Sequence, residues 1–126
     1  MKFEMSVPLL GFDHIKEITL EKIDDIFMKM QASHDEYISF TLIDPFVLRE
    51  YDFEVPQNIQ DTLEITNESN LLTLNIVLLQ NPIEDSVVNF ISPIIFNTDN
   101  KKAAQIILPE TTKYGIAEKI SSFLNK

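Results

Sequence analysis

LLTLNIVLLQ, Leu71–Gln80, is apolar on both of the faces that an extended chain presents. A strand with one wet face alternates apolar and polar side chains, so a run without alternation belongs to a strand covered on both sides. The stretch predicts a central strand, ended by Pro82, which has no N–H to give to a ladder. Such a strand needs neighbours beside it and a layer over each face, and the rest of the chain has to supply them.

Upstream the dominant period is two. KFEMSV (Lys2–Val7) sets Phe3, Met5 and Val7 against Lys2, Glu4 and Ser6, the pattern of a half-buried strand. YISFTLI (Tyr37–Ile43) predicts a strand stopped by Asp44-Pro45, and DFEV (Asp52–Val55) another stopped by Pro56. EITL (Glu17–Leu20) and IFMKMQ (Ile26–Gln31) are shorter, and the alternation of the second favours strand over helix. Two segments predict helices. PQNIQDTL (Pro56–Leu63) opens on a proline suited to a first turn and sets Ile59 and Leu63 on one face. YGIAEKISSFLNK (Tyr114–Lys126) spaces Ile116, Ile120, Phe123 and Leu124 helically, as a cap on a sheet. Many short strands, few helices and no βαβ rhythm predict a mainly all-β fold, an antiparallel barrel or sandwich capped by one or two short helices.

VNFISPIIFN (Val88–Asn97) is the second apolar run, and it carries Asn89, Pro93 and Asn97. Buried amides must be hydrogen-bonded, and a proline cannot serve a central ladder. The chain is expected to bend at Ser92-Pro93, with Asn89 bonding backbone groups freed there. Asn97 is expected to start an NTDN turn in which Asn and Asp side chains bond their own backbone.

At 126 residues with 44% hydrophobic side chains, the chain has the size and composition of one domain spanning residues 1–126. It has no cysteine, which excludes disulfides, thiolate chemistry and cysteine-ligated zinc. MKFEMSVPLL makes a poor signal peptide, and no apolar run is long enough to span a bilayer. A soluble cytoplasmic protein is the expectation.

The net charge is −10, and its distribution is uneven. From Glu50 to Asn100 there is no Lys or Arg, while nine acids fall in the interval, among them Asp61, Glu64 and Glu68. That field repels phosphates and anionic lipid and attracts basic surfaces, so direct nucleic-acid and membrane binding are not expected. Acidity that merely keeps a protein soluble is the plainer reading. His14 and His34 each stand beside carboxylates, but histidines in such loops are usually only solvated. Asp24-Asp25 and Glu84-Asp85 are adjacent pairs that point to different sides. With two glycines, there is no phosphate-cradling loop. No catalytic, cofactor or metal set emerges, and a non-enzymatic binding module is expected. Nine Phe and four Met favour a filled interior over a pocket for a small molecule. Asp61, Glu64 and Glu68 are the candidate docking acids, with KAAQIIL as a candidate neighbouring sheet edge, where small Ala103 and Ala104 allow close backbone approach.

Three motifs in series carry a family resemblance. LLGFDHIKEITL, with Gly11 and Phe12, is similar to the N-terminal segment of the FliW family of flagellar assembly factors. FTLIDPFVLREYDFEVP, with Pro45 and Tyr51, resembles its second hallmark, and NFISPIIFN followed by AQIIL resembles its third. The resemblance runs from about Leu9 to Leu108. It implies a small β-barrel-like protein of the bacterial cytoplasm that binds flagellin and the RNA-binding translational regulator CsrA, relieving repression of flagellin translation. A flagellin-specific chaperone or export escort without the regulatory branch is the alternative. Relatives often end in a Tyr followed by an Arg; here Tyr114 is kept and no Arg follows.

Overall fold

A computed structural model describes residues 1–124. Among them the strands are Lys2–Val7 (β1), Glu17–Lys22 (β2), Phe27–Ala32 (β3), Ser39–Ile43 (β4), Leu71–Leu78 (β5), Val87–Val88 (β6), Ile94–Asn97 (β7), Lys102–Gln105 (β8) and Glu118–Lys119 (β9). Helices are short, Gln57–Thr62 (α1) and Ser121–Leu124 (α2). The strand order β4-β3-β2-β1-β8-β7-β5, with β5 pairing back onto β4, closes a barrel of seven strands. All pairings are antiparallel except β1 with β8.

Alternation decides what points inward. Phe3 lies opposite Ile18, Leu20 opposite Met30, Leu42 opposite Ile76, Leu74 opposite Ile94 and Phe96 opposite Ala103, so inward side chains meet inward neighbours round the cylinder. Phe3 and Phe96 meet edge to face at 5.0 Å, and the interior is filled by apolar side chains. A second core lies outside the wall. Ile43, Val77, Ile95 and Ala104 point outward from β4, β5, β7 and β8 and are covered by Tyr51, Ile59, Leu63, Leu108, Tyr114 and Ile120. The outer layer covers only part of β5: Leu74 faces the interior and Val77 the outer core, but Leu71 and Leu78 at its ends are exposed, so the expectation of a strand covered on both faces holds only for its middle.

The asparagine and proline question resolves as a large bulge. Ile94 faces Leu74 and Val88 faces Val77, so residues 89–93 stand against only Asn75 and Ile76. Asn89 Oδ1 accepts the N–H of Ile91 at 3.0 Å, and the Pro93 carbonyl, freed from the β5 ladder, accepts the N–H of Ile106 at 2.9 Å. Pro93, inside the bulge, has no ladder bond to give. Asn97 Oδ1 accepts the N–H of Asp99 at 3.1 Å at the start of the β7–β8 turn.

Three expectations need correction. Asp52–Val55 is extended and keeps its alternating burial, but it pairs with no strand among the described residues. The expected C-terminal helix shrinks to Ser121–Leu124, preceded by β9, which pairs with β6; residues 125 and 126 lie outside the described residues. Glu118 accounts for the loss: its carboxylate turns back to accept the Gly115 N–H at 2.7 Å and to meet Arg49 at 3.0 Å. KAAQIIL is not an edge either, since β8 is hydrogen-bonded to β1 on one side and β7 on the other.

Candidate protein-docking face

Of the candidate acids, Asp61 lies on α1 and Glu64 just past its C-terminus, whose stop fixes the backbone at Glu64. The N–H of Glu64 bonds the carbonyl of Asp61, and the N–H of Ile65 bonds that of Gln60, the double bond of a Schellman stop. Glu64 sits where that stop requires a left-handed residue, at φ +56°, and no glycine is there. The last helical carbonyl is capped from outside, because Leu63 O accepts Asn97 Nδ2 at 2.9 Å and Asn100 Nδ2 at 2.8 Å. Asn97 therefore serves both the turn and the helix end, which explains a fully buried amide at the end of an apolar strand.

The β7–β8 turn thus docks against α1 and brings further charge with it. Glu64 Oε1 lies 2.8 Å from Lys102 Nζ, and this hydrogen bond holds the Glu64 carboxyl below, and the Lys102 ammonium above, its ordinary range. Asp99 accepts both the backbone N–H and the Nδ2 of Asn70 at 2.9 Å, which lowers its carboxyl as well. Asp61 accepts Gln57 Nε2 at 2.9 Å on the exposed side of α1, and Glu68 is exposed in the loop that leads to β5. Asp61, Glu64, Glu68 and Asp99 are thus exposed at the end of α1, in the loop after it and in the β7–β8 turn, with Lys102 paired to Glu64 and Lys101 acting on Asp99. Sequence reasoning missed that lysine because it stands two residues beyond the interval without basic side chains.

Ala103 and Ala104 do not contribute. Both are 0% exposed, Ala103 inside the barrel and Ala104 under the outer layer, so no partner backbone reaches them.

The remaining motif residues have structural positions. Gly11 takes φ +87° in the turn closed by the Phe12 N–H to Leu9 O bond, a conformation that costs other residues. Phe12 meets Phe40 edge to face at 5.3 Å. Pro45 is buried at the start of a single 3-10 turn capped by Asp44, whose Oδ1 accepts the Phe46 N–H. Tyr51 is buried; its hydroxyl donates to the Phe90 carbonyl at 2.5 Å and accepts Asn75 Nδ2 at 3.1 Å, and burial pushes its pKa up to about 12. Tyr114 accepts the Asp52 N–H at 2.8 Å through its hydroxyl. The chain's one arginine, Arg49, lies over the Tyr114 ring at 4.9 Å, so Tyr114 has a guanidinium against it from a distant part of the sequence.

His14 and His34 line one small cavity of about 180 Å³ together with Glu17 and Asp35. No group of three or more His, Asp or Glu side chains among the described residues is placed to hold a metal ion. No helix among the described residues is long and apolar enough to cross a membrane.

The family model described as FliW protein matches residues 1–120. The flagellar assembly factor FliW of Sulfurimonas denitrificans is 65% identical, with all of both chains covered. The flagellar assembly factor FliW 2 of Wolinella succinogenes is 46% identical over 99% of this chain and 93% of its own. A crystal structure of the flagellar assembly factor FliW superposes with a TM-score of 0.88 at 24% identity, covering 94% of this chain and 84% of that one, and shows the same fold. The barrel, the three motifs and the extent of these matches agree: the chain belongs to the FliW family of flagellar assembly factors.

Proposed function

We propose that this protein acts in the cytoplasm as a non-enzymatic antagonist of the translational regulator CsrA, with flagellin as its second partner. Bound flagellin keeps it occupied; when flagellin leaves, it captures the regulator and lifts repression of flagellin translation. Membership of the FliW family supports the flagellar role, and the acidic face at the end of α1 is the observation that favours a basic partner. An RNA-binding regulator presents basic residues. Asp61, Glu64 and Glu68 are the proposed contacts, set on a helix end and turn held by the Leu63–Asn97–Asn100 bonds. A pull-down with purified CsrA in the absence of flagellin tests the reading. Stoichiometric capture supports it; capture of flagellin alone, with no retention of CsrA, points instead to an export escort.

A further inference from the structure

The alternating segment DFEV has the pattern of a strand without the partner of one. Asp52 and Glu54 are exposed, while Phe53 and Val55 pack on the outer core, so the segment has the side-chain register of a half-buried strand. Its ends are held. The Asp52 N–H goes to Tyr114 Oη at 2.8 Å, and the Val55 carbonyl accepts Gln60 Nε2 at 2.8 Å. The Tyr51 and Phe53 rings, 5.1 Å apart, fix its rotation. Between those anchors, the N–H groups of Phe53, Glu54 and Val55 and the carbonyls of Tyr51 to Glu54 have no protein hydrogen bond among the described residues. Every strand of the closed barrel is paired on both sides, so this is an extended, fixed backbone left open by the fold.

An open groove of about 460 Å³ runs beside it, lined by Phe53, Pro56, Leu108 and Pro109 together with Asp52 and Glu54. We infer that Asp52–Val55 is a docking strand that receives an extended basic segment of a partner chain by strand addition, with an apolar side chain of that segment seated in the groove. Backbone pairing supplies the affinity, and side chains of alternate residues supply the selection. Asp52 and Glu54 are two apart and share a face, so an incoming strand places Lys or Arg opposite them with favourable cross-strand charge. The same two carboxylates exclude a second copy of this chain, which would set Asp52 and Glu54 against their equals. Because the segment is already extended and anchored, binding orders little on this side of the interface. The segment precedes α1 in the chain and does not include the acids proposed to meet the regulator, and its use does not depend on CsrA being the partner.

The probe is a fluorescein-labelled peptide, acetyl-Lys-Val-Lys-Leu-Lys-Val-amide, with two controls: its Glu-for-Lys counterpart, and the basic peptide N-methylated at alternate residues so that it cannot donate to a ladder. Titration is followed by anisotropy and by backbone NMR of the protein. The basic peptide is expected to bind saturably, to shift signals of residues 52–55 and 108–112, and to slow amide exchange at Phe53, Glu54 and Val55. The acidic and N-methylated peptides are expected not to bind. D52K/E54K, at two exposed positions that the fold does not use, should weaken binding about tenfold, the combined effect of two exposed ion pairs. E64K/E68K should leave peptide binding unchanged, which separates this face from the one proposed for the regulator. Equal binding by the N-methylated peptide, shifts confined to another face, or amides of Phe53–Val55 already slow to exchange in the free protein would each overturn the inference.

Discussion

The barrel interior and the layer outside it both bury apolar side chains, but different forces hold them. Inside, apolar side chains from neighbouring strands meet at positions that alternation alone dictates. Outside, loops must be fixed to a wall, and directed bonds do much of the fixing. Tyr51 reaches the Phe90 carbonyl across 39 residues of sequence, and Tyr114 holds the Asp52 N–H across 62. Arg49 pairs with Glu118 while lying over the rings of Phe90, Tyr114 and Phe123 at 4.9–5.2 Å. Apolar contact is non-directional and tolerates many arrangements, whereas a buried hydroxyl or amide tolerates few. Periodic burial therefore builds the cylinder, and the polar contacts choose one packing for the irregular chain around it.

The largest expected effect comes from emptying the interior. Phe96 is fully buried and meets Phe3 edge to face, so Phe96→Ala should cost about 3–5 kcal/mol by lost transfer energy and the cavity left behind. Equilibrium urea unfolding measures it, and the loss should be the same from neutral pH to pH 11 because no titrating group takes part. A loss no larger than that of an outer-layer change would mean that the cylinder is not the more demanding region.

Tyr51→Phe breaks the outer layer without opening a cavity. It leaves the Phe90 carbonyl and one Asn75 N–H unpaired in a dry place, for about 1–3 kcal/mol. The pH dependence separates this from a packing effect. The folded state holds the Tyr51 pKa at about 12, above the ordinary tyrosine value near 10, because burial disfavours the anion. The unfolded chain therefore loses that proton first as pH rises. The stabilising contribution is whole below pH 10 and is lost between about pH 10 and 12. Over that window the gap between wild type and Y51F should narrow, read as the difference of two urea midpoints. A gap constant to pH 12 would show a hydroxyl that is not buried in solution.

That contrast also explains what the residues revealed unaided. The interior was legible because its rule is local: Phe3 and Met5, or Leu72 and Leu74, need no knowledge of their partners to be placed on one face. The break at Pro93 follows from the chemistry of a single position, whereas the apolar run at Leu71 overstates its cover, since Leu71 and Leu78 are exposed. Asp52–Val55 shows the limit, since alternation reports which way side chains face and says nothing of whether the backbone finds a ladder. The C-terminal segment shows another. Its helical spacing was genuine, but Glu118 commits its carboxylate to Gly115 and Arg49, the latter 69 residues away, and a two-residue strand replaces the turns. In the candidate site, the acids are visible in the sequence while Lys102 beside Glu64 is not, because the β7–β8 turn docks on the end of α1 and brings together residues 38 apart. Ala103 and Ala104 were misread for the same reason: small residues suit a close approach by any backbone, and here the neighbours are the chain's own β1 and β7.

The smallest effect on stability belongs to a third kind of region, wetter than either core, and there the functional effect should be largest. Glu64→Lys with Glu68→Lys reverses two exposed charges. Removing the Glu64–Lys102 pair should leave the unfolding midpoint nearly unchanged, since exposed pairs contribute little. Glu64 already occupies a left-handed conformation that lysine fits no worse, so the Schellman stop of α1 should survive. The introduced ammonium group would stand beside Lys102 and turn a partly neutralised acidic face into a basic one. Complementary charge chiefly accelerates encounter, so if CsrA is the partner as proposed, the double change should slow its association about tenfold at low ionic strength and progressively less as salt is added. Stopped-flow association at two salt concentrations measures this, with circular dichroism confirming an unchanged fold. Wild-type association at low salt would place the regulator's contact elsewhere, and the acids at the end of α1 would then serve only to keep the surface soluble. Slowed association that salt does not relieve would instead indicate a lost direct contact, with Glu64 bonded to the partner in exchange for Lys102.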